Sequence, residues 1–428
     1  MTATRLPQPV TPTPRWLATI TAILLLSQLV LCFISSGRSL AGKVDLRAFY
    51  AAGTIVRSGH AAQLYDYEYE QRVQNAVAGP RAGALPFLYP PFAALFFVPL
   101  SLVSYRMAFM VLLLLNVGLL LVTARLLSPW LPTLVGRSRF LLPSLYGCLF
   151  AGSVALMQGQ ISFTLLLAYS GSHVLYLQNR RFAAGLLLSI CLAKFQIALP
   201  VVLLFVIWKQ WRLVSGFLVG ALGVSTTSFA MVGHAGLMSY WHSLFGMASS
   251  TALNAVAGKA RYGMFPTDMP NLHGITYGLS HGLPWGVLLN VVLCCLVLSW
   301  AARQKASMLV ALPAAMLVSY HMQPHDLTLL LLPLSFACND VILRQRATKA
   351  REVADRPQRF AEAGLVSAVL LLVLPLAGVL MVNDYGYLAS VAVALTMASV
   401  AFCYSDTSVD ANESAARGVS LSTPLVPC

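Results

Sequence analysis

Long apolar runs recur from about residue 16 to residue 404, and they constrain this chain more than any other feature. Many approach or exceed the ~20 residues that cross a hydrocarbon core about 30 Å thick. In lipid every backbone N–H and C=O must find its partner inside the protein, so only helices and closed barrels can span. These runs are aliphatic on all sides and lack the ~10-residue alternating segments of a barrel strand. The expectation is an all-α polytopic membrane protein. Composition agrees, with 58% hydrophobic and 10% charged residues and a mean hydropathy of +0.74. The net charge of +14 is not a nucleic-acid footprint. Most of the Lys and Arg lie in short connections between apolar runs, where they set topology.

The run from Trp16 to Ser36 is longer than a signal-peptide core and is followed by no small-residue cleavage site, so it reads as a retained first helix. Further spans are expected near 107–127, 139–157, 160–178, 212–232, 284–302, 306–321, 325–342, 363–383 and 386–404. The run 182–207, interrupted by Lys194 and Pro200, reads as a broken helical hairpin, and Tyr89–Val103, opening on Pro90-Pro91, as a membrane-edge or re-entrant helix. The total is about twelve crossings, within 10–13. Residues 1–15 then form a cytoplasmic tail, 16–404 the membrane domain, 37–88 and 233–283 two outer loops, and 405–428 a disordered cytoplasmic tail. This orientation puts Arg137, Arg180-Arg181, Lys209, Arg303 and the Arg344–Arg359 cluster inside, while the basic residues of the first long loop oppose it.

Only 14 Asp and Glu occur in 428 residues. Asp66, in "LYDYEYE", reads as a helix N-cap, and Asp384 as a turn residue. Asp45, between Lys43 and Arg47 in "AGKVDLRAFYAAG", is either a general base or an interfacial salt bridge, and residue type alone favours the salt bridge. Lys194 has no acid near it in sequence, so it either meets an anionic ligand such as a lipid phosphate or snorkels from a broken helix. In "SYHMQPHDLTLLLLPL", His321, His325 and Asp326 fit no zinc spacing; they could donate to a phosphate or form a polar turn. Gln158-Gly159-Gln160 offers two amides for sugar hydroxyls, or simply a helix–helix turn. The 233–283 segment, with Trp241, His242, Asn271 and His273, suits carbohydrate or the membrane interface. There is no Walker A motif, dinucleotide fingerprint or HExxH, and the eight cysteines show no paired spacing.

Five blocks together resemble glycosyltransferase family 87: "VDLRAFYAAGTIVRSGHAAQLYD", "FLYPPFAALFFVPLSLVS", "QGQISFTLLL", "AGLLLSICLAKFQIALPVVLLFV" and "HMQPHDLTLLLLPL", in that order over roughly residues 40–340. Ser162 departs from the Asn usual in such proteins. The resemblance implies a GT-C-like bundle in the inner membrane with its site facing the periplasm. It implies transfer of a hexose, often mannose, from a polyprenyl-phosphate sugar to a glycolipid or glycan acceptor, with inversion and without a nucleotide sugar; some such enzymes work without a metal, and with no ligand cluster in the sequence no metal or other cofactor is expected. Asp45 takes the position of the family's catalytic acid, as general base. Lys194, Arg47 and His325 are the expected phosphate ligands, and Gln158, Gln160, Gln196, His321 and Asp326 the expected sugar or acceptor contacts. A flippase or transporter of a lipid-linked sugar is the rival reading; it would show matching broken helices in two repeats, and only 182–207 is broken. A ligase moving whole glycans is a third.

Overall fold

The computed structural model describes residues 15–81, 83–137, 141–253, 266–351, 356–373 and 385–402, and every regular element among them is α- or 3-10-helical. Among the described residues six helices are long and apolar enough to cross a membrane: Thr19–Leu40, Tyr105–Trp130, Arg181–Ile207, Trp211–Leu244, Pro284–Ala302 and Pro324–Leu343. Two shorter apolar helices, Met308–Val318 and Gly386–Phe402, accompany them. The chain is thus an all-α polytopic membrane protein. Among the described residues several of the expected spans are cut into short pieces. The run 139–157 contains two helices, Leu141–Cys148 and Phe150–Gln158, separated at Leu149, whose backbone is extended. The next, Ser162–Leu177, has 16 residues, a length of about 24 Å.

Two expectations change. The 182–207 run is not a hairpin but a single span of 27 residues. Its halves, Arg181–Leu188 and Phe195–Ile207, are joined through a 3-10 segment, Ser189–Lys194. The first half crosses the following helix at glycines. A Cβ on Gly185 would run into the Leu213 carbonyl, and one on Gly216 into that of Phe182, the small-residue contact that lets membrane helices approach closely. Nor does a loop open at residue 233: the helix that starts at Trp211 is broken at Gly233, which is non-helical at φ 65° and ψ −173°, and a second helix follows across the kink to Leu253. Asn254, Lys259, Arg261, Tyr262, Asp384 and both terminal tails lie outside the described residues.

The segment after the first span folds into two helices, here α2 (Leu46–Arg57) and α3 (Tyr67–Ala78). Asp66 caps α3 as expected, accepting from the N–H groups of Glu68 at 3.1 Å and Tyr69 at 3.0 Å. α2 is buried on nearly every side; Phe49 stacks on Phe97 with ring centroids 4.7 Å apart. A strap, residues 84–89, is stitched to α3. The Phe87 N–H donates to Glu70 at 2.9 Å, Gln74 exchanges two hydrogen bonds with the backbone of Leu85, and the hydroxyl of the preceding Tyr65 donates to the Tyr89 carbonyl at 2.7 Å. The Tyr89–Val103 run that follows forms two 3-10 segments, Pro91–Phe97 and Pro99–Leu102, packed on α2. Prolines that lack an N–H keep it from continuing as α-helix.

Candidate active site

Asp45 stands at the N-cap of α2, where an aspartate would ordinarily accept a hydrogen bond from the first helical turn. Its side chain makes no such bond. Instead its Oδ2 accepts from Gln160 Nε2 at 2.6 Å, and its backbone N–H reaches Gln158 Oε1 at 3.4 Å. Gln158-Gly159-Gln160 is the C-terminal turn of the Phe150–Gln158 helix. Gly159 is left-handed at φ 68°, and a Cβ there would meet Leu46 Cβ at 2.7 Å. Only glycine both turns the chain here and lets it close on the start of α2.

Lys194 ends the 3-10 break in its span and is buried. Its Nζ is ion-paired with Asp326 Oδ1 and lies 2.9 Å from His325 Nε2. An ammonium only donates, so His325 Nε2 accepts and the ring proton sits on Nδ1. Asp326 is locked in turn: the Gln323 N–H donates to its Oδ2 at 3.0 Å and its own N–H donates to the Gln323 carbonyl at 2.8 Å, around Pro324 at the start of a 3-10 helix. The acid absent from Lys194's sequence neighbourhood comes from 132 residues away.

The two clusters face one cavity of about 160 Å³. Six of the nine residues singled out in the sequence line it: Asp45, Gln160, Lys194, Gln196, His321 and His325. Asp326 sits behind Lys194, and Gln158 behind Asp45. Arg47 does not line it. Its Nε donates to Gln74, its Nη1 to the carbonyls of Gly42 and Ala78, and its Nη2 to Asn75 and the Gly79 carbonyl, over 2.6–3.3 Å. These contacts use all five guanidinium N–H groups, so Arg47 has none left for a phosphate. It holds the last turn of α3 against α2, a cation at a helix C-terminus. Sequence reading missed Tyr89, whose hydroxyl donates to Gln160 Oε1 at 3.0 Å and whose ring lies 5.7 Å from Lys194 Nζ. It also missed Asn116, which donates to the Gln160 carbonyl at 3.1 Å. Tyr89 was at least visible as the aromatic of "YPP"; Asn116 had no signal beyond being an amide in an apolar helix.

Burial pushes the Asp45 carboxyl above the usual range, and Asp326 adds to this; the Gln160 hydrogen bond and the positive charges of Lys194 and Arg81 pull it part of the way back. A carboxylate raised in this way is a better proton acceptor. Burial, helped by Lys194, lowers His321 to about 4, so it is neutral at physiological pH. Its Nδ1 is buried with no protein partner. Behind it, the His273 ring lies 4.8 Å from that of Tyr320.

Residues 87–333, more than half of the chain, match the family description "Glycosyltransferase family 87". The chain belongs to glycosyltransferase family 87. It is therefore a membrane glycosyltransferase. No curated protein and no solved structure matches it. The family match includes Tyr89, Gln160, Lys194, His321, His325 and Asp326 but begins after Asp45. The case for Asp45 therefore rests on its place in the cavity of this glycosyltransferase.

Proposed function

We propose that this family 87 enzyme moves a hexose, mannose in the first instance, from a polyprenyl-phosphate sugar to a glycolipid or glycan acceptor on the periplasmic face of the inner membrane, with inversion. The observation that supports this most is a carboxylate and an ion-paired lysine, far apart in sequence, facing one cavity. Asp45 accepts the proton of the acceptor hydroxyl. The oxygen attacks the anomeric carbon from the face opposite the phosphate, and the bond from that carbon to the phosphate oxygen breaks. The polyprenyl phosphate leaves with the bonding pair, so it needs charge stabilisation more than protonation. Lys194 supplies that charge from a position already set by Asp326, and an ordered cation needs little reorganisation as the reaction proceeds. His325 and the neutral His321 contribute ring hydrogen bonds to phosphate or sugar, and Gln196 an amide.

The test is transfer of radiolabelled mannose from polyprenyl-phosphate mannose to endogenous lipid in vesicles carrying wild type or Asp45→Asn. General-base catalysis is worth roughly 10²–10⁴-fold. Asp45→Asn is expected to lose transfer by that factor while donor binding stays intact. Transfer equal to wild type would remove Asp45 from the chemistry.

A further inference from the structure

Gln160 lines the cavity, yet both ends of its amide are already engaged. Its Nε2 is committed to Asp45 Oδ2 and its Oε1 to the Tyr89 hydroxyl. Its backbone is fixed as well: the carbonyl accepts from Asn116, and the N–H donates to the Ala155 carbonyl at 3.0 Å. An amide can be turned over without changing its shape, and only its neighbours decide which end donates. A carboxylate only accepts, so Asp45 requires the NH₂ end. Tyr89 then donates to the oxygen end, which makes that orientation the one satisfied at both ends.

From this geometry we infer that Gln160 and Tyr89 are positioning residues for the base: Tyr89 orients the Gln160 amide, and Gln160 holds Asp45 Oδ2 so that Oδ1 is presented to the acceptor hydroxyl. The inference rests on the proposed role of Asp45. It changes the assignment of Gln160 from a sugar contact to a residue acting through the base. It also explains the whole Gln158-Gly159-Gln160 turn, since Gln158 takes the Asp45 N–H and Gly159 seats the turn on Leu46. Tyr89 is placed to do this because the strap that carries it is tied to α3 through Glu70 and Gln74.

The readout is the pH profile of kcat/KM for mannose transfer in vesicles, for wild type, Gln160→Ala, Tyr89→Phe, the double variant and Asp45→Asn. The groups bearing on Asp45 are Lys194, Arg81 and Asp326, with Tyr89, His321 and His325 around the same cavity. All but the Tyr89 hydroxyl are retained in every Gln160 and Tyr89 variant. Losing a hydrogen bond to the ionised form raises a carboxyl pKa. Gln160→Ala should therefore move the acid limb of the profile up by about one pH unit, with activity recovering toward alkaline pH. Tyr89→Phe keeps the ring beside Lys194 and should shift the limb the same way by less. The double variant should match Gln160→Ala, because Tyr89 acts through Gln160. A loss uniform across pH, with a raised KM for donor, would overturn the inference and return Gln160 to contacting sugar. Should Gln160→Ala fail to fold, an unmoved limb in Tyr89→Phe overturns it equally. The Asp45→Asn arm separates the two readings: if that variant is active, the role of Asp45 fails; if it is inactive while the limbs coincide, only the positioning role fails.

Discussion

Arg47 and Lys194 are both buried cations, at 2% and 4% exposure, and they are buried in opposite ways. Among the described residues Arg47 is paired with no acid. Five neutral oxygens from α3, the turn after it and Gly42 occupy its five N–H groups, and it does not line the cavity of Asp45 and Lys194. Lys194 is paired with an acid, shares a histidine nitrogen, and lines the cavity. Burial of a charge in an apolar chain is therefore not by itself a mark of function. What separates the two is where the remaining donor capacity goes: Arg47 has none, while the third N–H of Lys194 is not taken by Asp326 or His325.

The contrast breaks most sharply at the ion pair. Removing one partner of a buried pair strands the other charge and typically costs about 3–5 kcal/mol. Lys194→Met and Asp326→Leu should each lower stability by that order, read as thermal unfolding in detergent. The combined variant should be more stable than either alone, because no charge is left unpaired, yet it should transfer no sugar. Single-variant losses that simply add would show that the pair is not coupled. Arg47→Lys comes next. It keeps the charge but cannot reproduce the planar fork, so about 2 kcal/mol of stability should go with the missing hydrogen bonds. Transfer by the folded fraction, and its KM for donor, should stay within about threefold of wild type. A tenfold rise in that KM would return Arg47 to the donor phosphate.

How much of this was legible depended on how local each cause is. Asp66 was readable as a cap because its two partners lie two and three residues on. The all-helical membrane class followed from run length alone. Lys194 was readable as anomalous but not as paired, since Asp326 is 132 residues away. Arg47 misled because three of its acceptors are backbone carbonyls, which carry no residue identity. The hairpin expected at 182–207 failed for a related reason: a polar residue in an apolar run marks a break, and periodicity cannot distinguish a reversal from a 3-10 segment within one span. At residue 233 the polar, glycine-containing sequence suggested a loop, whereas a single glycine with positive φ breaks one helix and a second follows directly across the kink.

The smallest test lies on the structural side of the comparison, on the helix that Arg47 clamps. Glu70 is buried in α3, accepts the Phe87 N–H, and is pushed by that burial up to about 8. A carboxyl whose folded pKa is raised binds its proton more tightly folded than unfolded. Stability is then fully present below the unfolded value of about 4.5 and declines as pH rises toward the folded value of about 8. Between those limits each pH unit removes about 1.4 kcal/mol. From pH 6.5 to 7.5 wild type should lose about that much relative to Glu70→Gln, which keeps an oxygen for the Phe87 N–H and has no charge to desolvate. The difference between the two unfolding curves cancels the other groups titrating in the same window. Because Glu70 holds the strap ending at Tyr89, the same pH rise should also loosen Tyr89 in wild type and not in Glu70→Gln, seen as faster amide exchange over residues 84–89. Parallel stability curves would mean that Glu70 is ionised in the folded protein and held by charges rather than by its proton, and the strap would then be insensitive to pH.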